Sequence, residues 1–184
     1  MPQTAHHRSI ELLSPGVTFE QQVATLFEGE FARVFRVMHR LVGDADTASD
    51  LAQEAFVRLL HRHAMPDAPV AWLITVALNL QRNSRARESR RFRLLTRERG
   101  THSLGDAPPP PDRAAHADET RLRVRRTLAQ LGEREAQLLM LSAEGYSYRE
   151  MATALDLNEG SVGILLMRAK HAFRQRHEGD ADAS

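Results

Sequence analysis

No cysteine occurs in the 184 residues, which excludes disulfide frameworks, thiol nucleophiles and cysteine-ligated zinc. Aromatic residues are scarce at 5%, and the apolar positions hold mainly Leu, Ala and Val at helical spacing, so a nearly all-α chain is expected. No apolar run approaches the roughly 18 residues that a membrane helix needs. The opening MPQTAHHRSIELLSPG lacks the apolar core of a secretory signal, and the expectation is a cytoplasmic protein without membrane insertion. Neither a glycine-rich phosphate loop nor a nucleophile motif is found, so no enzymatic role is expected. His6, His7, His61 and His63 invite a metal reading, but His61 and His63 stand two apart at a helix end and point in different directions. No metal and no cofactor is expected.

The hydrophobic fraction is 42%, enough for packed cores. Net charge is only +1, yet its distribution is uneven. Arg82 to Arg99 holds arginines at 82, 85, 87, 90, 91, 93, 97 and 99 against Glu88 and Glu98. A second basic stretch holds Arg168, Lys170, Arg174 and Arg176 with no acid. The remainder is therefore acidic, and two basic patches stand far apart in sequence. Nearly all the basic residues are arginine, the side chain suited to bidentate contacts with phosphate and guanine.

The chain divides into five parts: an N-terminal tail (1–19), a first domain (20–99), a linker (100–118), a second domain (119–177) and a short tail (178–184). In the first domain, Val23, Leu26, Phe27, Phe31, Val34, Phe35, Met38, Leu41 and Val42 recur at three- and four-residue steps and predict one helix ended by Gly43. A second helix is predicted from about Thr47 to His61, with Leu51, Ala55, Leu59 and Leu60 inward. The segment HAMPDAP (63–69) is a loop. A third helix starts near Val70 as an apolar run, AWLITVALNL, and continues as a basic one, QRNSRARESRRFR. The linker carries four consecutive prolines and favours extended backbone.

The second domain contains EGYSYREMATALDLNEGSVGILLMRAK (144–170), two short apolar-periodic runs with a polar break. Ser147 followed by Glu150 fits a capping box, Met151, Ala152 and Leu155 face inward, and Asn158 suits the N-cap of a last helix, about Glu159 to Arg176. Val162, Leu165, Leu166, Ala169 and Phe173 form its buried stripe. The small Ala152 permits close crossing of a bracing helix over a longer one with a basic far end, the layout of a helix-turn-helix.

Three segments, DTASDLAQEAFVRLL (46–60), PVAWLITVALNLQRNSRARESRR (69–91) and LGEREAQLLMLSAEGYSYREMATALDLNEGSVGILLMRAKHAFR (131–174), resemble in order and spacing those of bacterial RNA polymerase sigma factors of the extracytoplasmic-function class. The resemblance implies an all-α fold of two small helical domains, a region 2-like bundle and a region 4-like helix-turn-helix, joined by a Pro-rich linker. It also implies promoter-directed transcription initiation with core RNA polymerase. Asp50, Gln53, Glu54 and Phe56 match the motif that docks on the β′ clamp helices. The linker of such proteins threads through the polymerase toward the active-site and RNA-exit path, and the β subunit is expected as a partner beside β′. Trp72, Leu73 and Ala77 match core positions beside Asn79. Asn79, Arg82, Asn83, Arg85 and Arg87 lie where the family contacts the −10 element of promoter DNA, and Met65 and Asp67 lie in the loop where relatives capture a flipped base. In the second domain, Ser147, Arg149, Ser161, Gly163, Ile164, Arg168 and Lys170 are the candidates for the −35 element. Anti-sigma partners are common in the family.

The chain departs from that family in its last helix. Where members commonly carry TVKSRLxRA, this chain has SVGILLMRA, so polar and basic residues are replaced by Gly163, Ile164 and Leu165. Gly163 offers no side-chain hydrogen bond, and an exposed Ile164 offers at most contact with a thymine methyl. Phosphate anchoring and groove shape would then carry more of the selectivity. Asp156 stands where a turn glycine is customary, and aspartate tolerates the left-handed conformation better than most residues. Two other readings stay open at this point: a stand-alone helix-turn-helix regulator, and an interaction protein that kept the fold with weakened promoter reading.

Overall fold

The computed structural model describes residues 17–98 and 115–182. The expectations made for residues 1–16, 99–114 and 183–184, which include His6, His7 and most of the linker, lie outside the described residues. Among the described residues there are seven α-helices and no strand: α1 (Phe19–Val42), α2 (Ala45–Arg62), α3 (Pro69–Glu98), α4 (Ala115–Ala129), α5 (Glu133–Ala143), α6 (Tyr148–Leu155) and α7 (Glu159–Asp182).

Local hydrogen bonds set the helix boundaries of the first domain. Thr18 Oγ1 accepts from the Gln21 N–H (3.3 Å), and the Gln21 side chain accepts in return from the Thr18 N–H (2.9 Å). Each satisfies a donor that the first turn of a helix leaves free. Gly43 ends α1 at φ +83°, a conformation that costs an L side chain energy, and its N–H donates to His39 O (2.8 Å). Asp44 then starts α2, its Oδ2 accepting from the Thr47 N–H (2.8 Å). Hydrogen bonding from Thr47 holds the Asp44 carboxyl below the ordinary aspartate range.

Helices α1, α2 and α3 pack together as a bundle. Ala48, Ala52 and Ala55 of α2 are wholly buried, small enough to bring the neighbouring helices close, and Val34, Val37, Met38, Leu73 and Ile74 fill the space between. Phe27 and Leu60 correct the sequence expectation, since both are exposed. Phe27 sits at the rim, stacked on Phe31 (4.7 Å between centroids) and edge-on to Phe56 (5.0 Å). Leu60 follows Leu59 by about 100° of helix rotation, and the core side belongs to the fully buried Leu59.

In the second domain, α4, α5 and α6 each contact α7. The first turn of α4 begins at Ala115, within the segment read as linker and ahead of the expected start at Glu119. The corner between α6 and α7 follows the predicted chemistry. Ser147 Oγ accepts from the Glu150 N–H (3.3 Å), and the Ser147 N–H donates to Glu150 Oε2 (2.7 Å). Asp156 ends α6 in the left-handed region (φ +52°), with its N–H donating to Ala152 O. Asn158 Oδ1 then accepts from the Gly160 N–H (2.9 Å).

The two domains touch, α6 against α3 and the end of α5 against α1. The Glu144 carboxylate receives Arg36 Nε (2.6 Å) and Arg40 Nη1 (2.5 Å), both from α1, and its side chain is only 5% exposed. Arg33 Nε donates to Glu144 O (3.3 Å), and the Arg33 guanidinium lies 4.1 Å from the centroid of Tyr146. Burial pushes the Tyr146 phenol far above its ordinary range. On the other side, the Thr75 hydroxyl of α3 lies 3.3 Å from Ala154 O of α6.

Candidate polymerase and nucleic-acid interfaces

Helix α2 presents Asp50, Gln53 and Glu54 on one exposed face, since positions three and four apart share a side of a helix. Glu54 is held along that face by Arg58 Nε (2.9 Å), and Gln53 donates to Ser49 Oγ (2.9 Å). Phe56, the fourth residue of the same motif, is placed differently. It is 3% exposed and belongs to the core, so it supports α2 from beneath and leaves the three polar side chains as the surface.

The turn between α2 and α3 starts with His63 in the left-handed region (φ 53°). It then runs through Pro66 to Pro69, which opens α3 at a position where its missing N–H costs nothing. Met65 packs partly against the core, while Asp67 is exposed. One apolar wall and one free carboxylate therefore lie side by side in a short, proline-bounded loop.

Helix α3 changes character along its length. Its first turns are fixed by Leu73, Ile74 and Ala77, all fully buried. Asn79 is half-buried and accepts at Oδ1 from Arg82 Nη2. Beyond it, Arg82, Asn83, Arg85 and Arg87 are all exposed. Asn79, Arg82, Asn83 and Arg87 recur at three- and four-residue steps and so form one polar face. The buried half thus positions a row of cations and amides whose members beyond Asn79 are open to solvent.

Helix α7 supplies the second face. Val162 and Ala169 are fully buried and Leu166 nearly so, which turns the opposite side outward. Ser161, Ile164, Arg168 and Lys170 are exposed and Gly163 is half-buried. Arg149, exposed at the start of α6, reaches Glu159 at the start of α7 (3.5 Å). Ser147 is engaged in its cap with Glu150 and is partly buried, so its hydroxyl serves the helix start. Leu165 faces the core side, as the predicted stripe required.

Sequence reasoning missed two side chains on this face, Tyr148 and Met167, both large, apolar and exposed. Met167 stands three residues after Ile164, a step that would have found it once Val162 and Leu166 were known to be buried. It also missed the cluster around Glu144, whose partners lie in the other domain and leave no local signature.

A bracing helix, a left-handed turn and a longer helix with an exposed, basic outer side, joined to a separate bundle with its own basic helix, define a two-domain helix-turn-helix DNA-binding protein. Residues 26–91 match the model of Sigma-70 region 2, and residues 121–172 match that of Sigma-70, region 4. The chain is 32% identical over 152 residues to the RNA polymerase sigma-H factor of Pseudomonas aeruginosa, covering 77% of this chain and 78% of that protein. It is also 32% identical over 154 residues to the ECF RNA polymerase sigma factor SigL of Mycobacterium tuberculosis, covering 81% and 85%. In fold it is similar to the sigma factor RpoE of Bartonella quintana, solved in complex with the anti-sigma factor NepR. That similarity has a TM-score of 0.54 at 19% identity and covers 87% of this chain and 96% of that one. The chain belongs to the RNA polymerase sigma factors of the extracytoplasmic-function class. It is thus a transcription initiation factor and not an enzyme. No helix among the described residues is long and apolar enough to cross a membrane.

Proposed function

We propose that this chain binds core RNA polymerase through the Asp50, Gln53 and Glu54 face of α2, with Phe56 fixing that face from below. Helix α3 would then engage the −10 element through Asn79, Arg82, Asn83, Arg85 and Arg87, with Met65 and Asp67 receiving an unstacked base. Helix α7 would enter the −35 major groove, with Arg149, Arg168 and Lys170 on phosphates and Gly163 and Ile164 nearest the bases. The observation that carries this reading is the build of α3, a helix locked at one end by Leu73, Ile74 and Ala77 and presenting the exposed Arg82, Asn83, Arg85 and Arg87 beyond Asn79. A plain bundle has no use for such an arm, and single-stranded nucleic acid binds to cationic tracks of this kind.

Action on DNA with polymerase fits a cytoplasmic location. The likeness to a sigma factor solved with its anti-sigma partner supports a similar regulator for this chain. Run-off transcription with core polymerase on a fragmented genomic library tests the proposal. Discrete transcripts that disappear with Asn79→Ala plus Arg82→Ala are expected. A chain that does not bind core polymerase would end it.

A further inference from the structure

We infer that the second domain selects its promoter element by the methyl groups of thymine, met in the major groove by Ile164, Met167 and the ring of Tyr148. This rests on the reading of α7 as the promoter-facing helix and specifies what that helix reads.

Helix geometry defines the outward face. At 100° per residue, the side of α7 opposite the buried Val162, Leu166 and Ala169 has Gly160, Ile164, Met167 and His171 along its midline. Arg168 lies on one flank and Lys170 and Arg174 on the other, all exposed. Cations on both flanks suit the two phosphate backbones that border a groove. The midline suits something else. From Gly160 to Met167 it carries no side chain able to donate to guanine N7 and O6 or to pair with adenine N6 and N7. The one base-edge feature that apolar side chains complement is the thymine methyl.

Exposure supports this reading. Ile164 is 54% exposed, Met167 62% and Tyr148 49%. These are three of the six large apolar side chains exposed among the described residues, so the exposure is clustered rather than scattered. A contiguous apolar surface bordered by charge marks a recognition site. Gly163 explains why the third member joins the other two. A Cβ built there would lie 3.4 Å from Tyr148 Cε2 and 3.9 Å from its hydroxyl oxygen, so the ring reaches across from α6 and rests on α7 where a longer side chain would stand. The glycine thus exchanges a polar reader for an aromatic one. The flanking cations also favour a polyanion over an apolar protein partner as the occupant.

The first arm of the test leaves the protein unaltered. Holoenzyme assembled from core polymerase and the full chain is used to select templates from a duplex library randomised over the upstream element. The best template is then remade with deoxyuridine replacing thymidine one position at a time, which removes a methyl and nothing else. Two or three positions are expected at which this lowers initiation about fourfold, the worth of one buried methyl. Ile164→Ala or Met167→Ala should abolish the dependence at its own position only. Arg168→Ala should weaken all templates alike, as loss of a phosphate contact does. Transcription that is indifferent to uridine, or a selected element whose guanines depend on Arg168, would overturn the inference and leave sigma activity standing. A chain that directs no discrete transcripts with core polymerase would instead remove the reading on which the inference rests, and the inference with it.

Discussion

The two helices proposed to reach DNA, α3 and α7, are built on opposite plans. In α3 the apolar and polar parts follow one another along the axis, so Leu73, Ile74 and Ala77 hold the first turns and Arg82, Asn83, Arg85 and Arg87 stand exposed beyond them. In α7 they lie side by side, with a buried stripe running through Val162, Leu166 and Ala169 and an outer face carrying Ile164 and Met167 between cations. A projecting cationic end suits a flexible single strand, which charge and hydrogen bonds capture with little demand on shape. A helix supported along its whole length suits a duplex groove, which has a fixed width and a pattern to read. On this proposal the same element type would serve melted and paired DNA by changing where its core contacts lie.

Stability measurements give the largest test of this comparison, because the apolar residues of the two helices should behave in opposite ways. Leu73 is fully buried in α3, and Leu73→Ala should destabilise the first domain by about 2–5 kcal/mol. Ile164→Ala should stay within about 0.5 kcal/mol of the parent. Thermal melts of both variants measure this, and a comparable loss from Ile164→Ala would mean that α7 buries its outer face.

Salt dependence tests the polar halves. Replacing Arg82, Arg85 and Arg87 together by alanine should cost about 10- to 100-fold in promoter opening. It should also flatten the dependence of log affinity on log salt by about 0.7 for each single-strand phosphate no longer neutralised. Ile164→Ala with Met167→Ala should leave that slope unchanged while altering which templates are used. If the slope responds to the α7 pair, the two helices do not differ in the way their surfaces suggest.

How much of the molecule is legible in its sequence depends on the range of the interaction. Gly43, the Ser147–Glu150 box, Asp156 and Asn158 each act within four residues, and residue type alone is enough to place each of them. Phe56 belongs to a motif with an exposed face and yet is core, because its burial depends on Phe27 and Phe31 arriving from α1. Leu60 and Phe27 depart from expectation for the related reason that periodicity gives a stripe and not its edges. Tyr148 joins α7 only through Gly163, a contact between helices that no spacing rule contains. The cationic helices, by contrast, can be read directly, since a run of exposed arginines needs no partner in the fold to be recognised.

The contact between the domains sharpens the comparison, since on the proposed reading both faces reach DNA at once. The two promoter elements stand about 25 base pairs apart, roughly 85 Å at 3.4 Å per pair, well beyond the ~45 Å length of a 30-residue helix such as α3. On that reading, domains that touch through Glu144, Arg36 and Arg40 would separate on the promoter. Glu144→Gln keeps the shape but removes the charge that two arginines hold. It should weaken the docking by about 1–3 kcal/mol. Arg36 and Arg40 are nearly half exposed and rehydrate when freed, which keeps the effect below that of Leu73→Ala. Small-angle scattering should show a larger radius of gyration for the variant. An unchanged radius would mean that the α3–α6 contact alone holds the domains together.

The smallest expected effect concerns Gly163, where the plan of α7 could be turned into that of α3. Glycine within a helix costs roughly 0.5–1 kcal/mol relative to alanine. The Cβ of Gly163→Ala would meet Tyr148 Cε2 at 3.4 Å, an ordinary contact distance, so this variant should melt slightly higher than the parent and use the same templates. Gly163→Lys tests the design itself. Its longer side chain occupies the place of the ring and carries a charge toward the groove. Thymine dependence should fall at the position Tyr148 covers, while the salt slope steepens by about 0.9 for one more duplex phosphate neutralised. If template choice survives the lysine unchanged, the ring of Tyr148 takes no part in reading, and the selectivity of α7 rests on Ile164 and Met167.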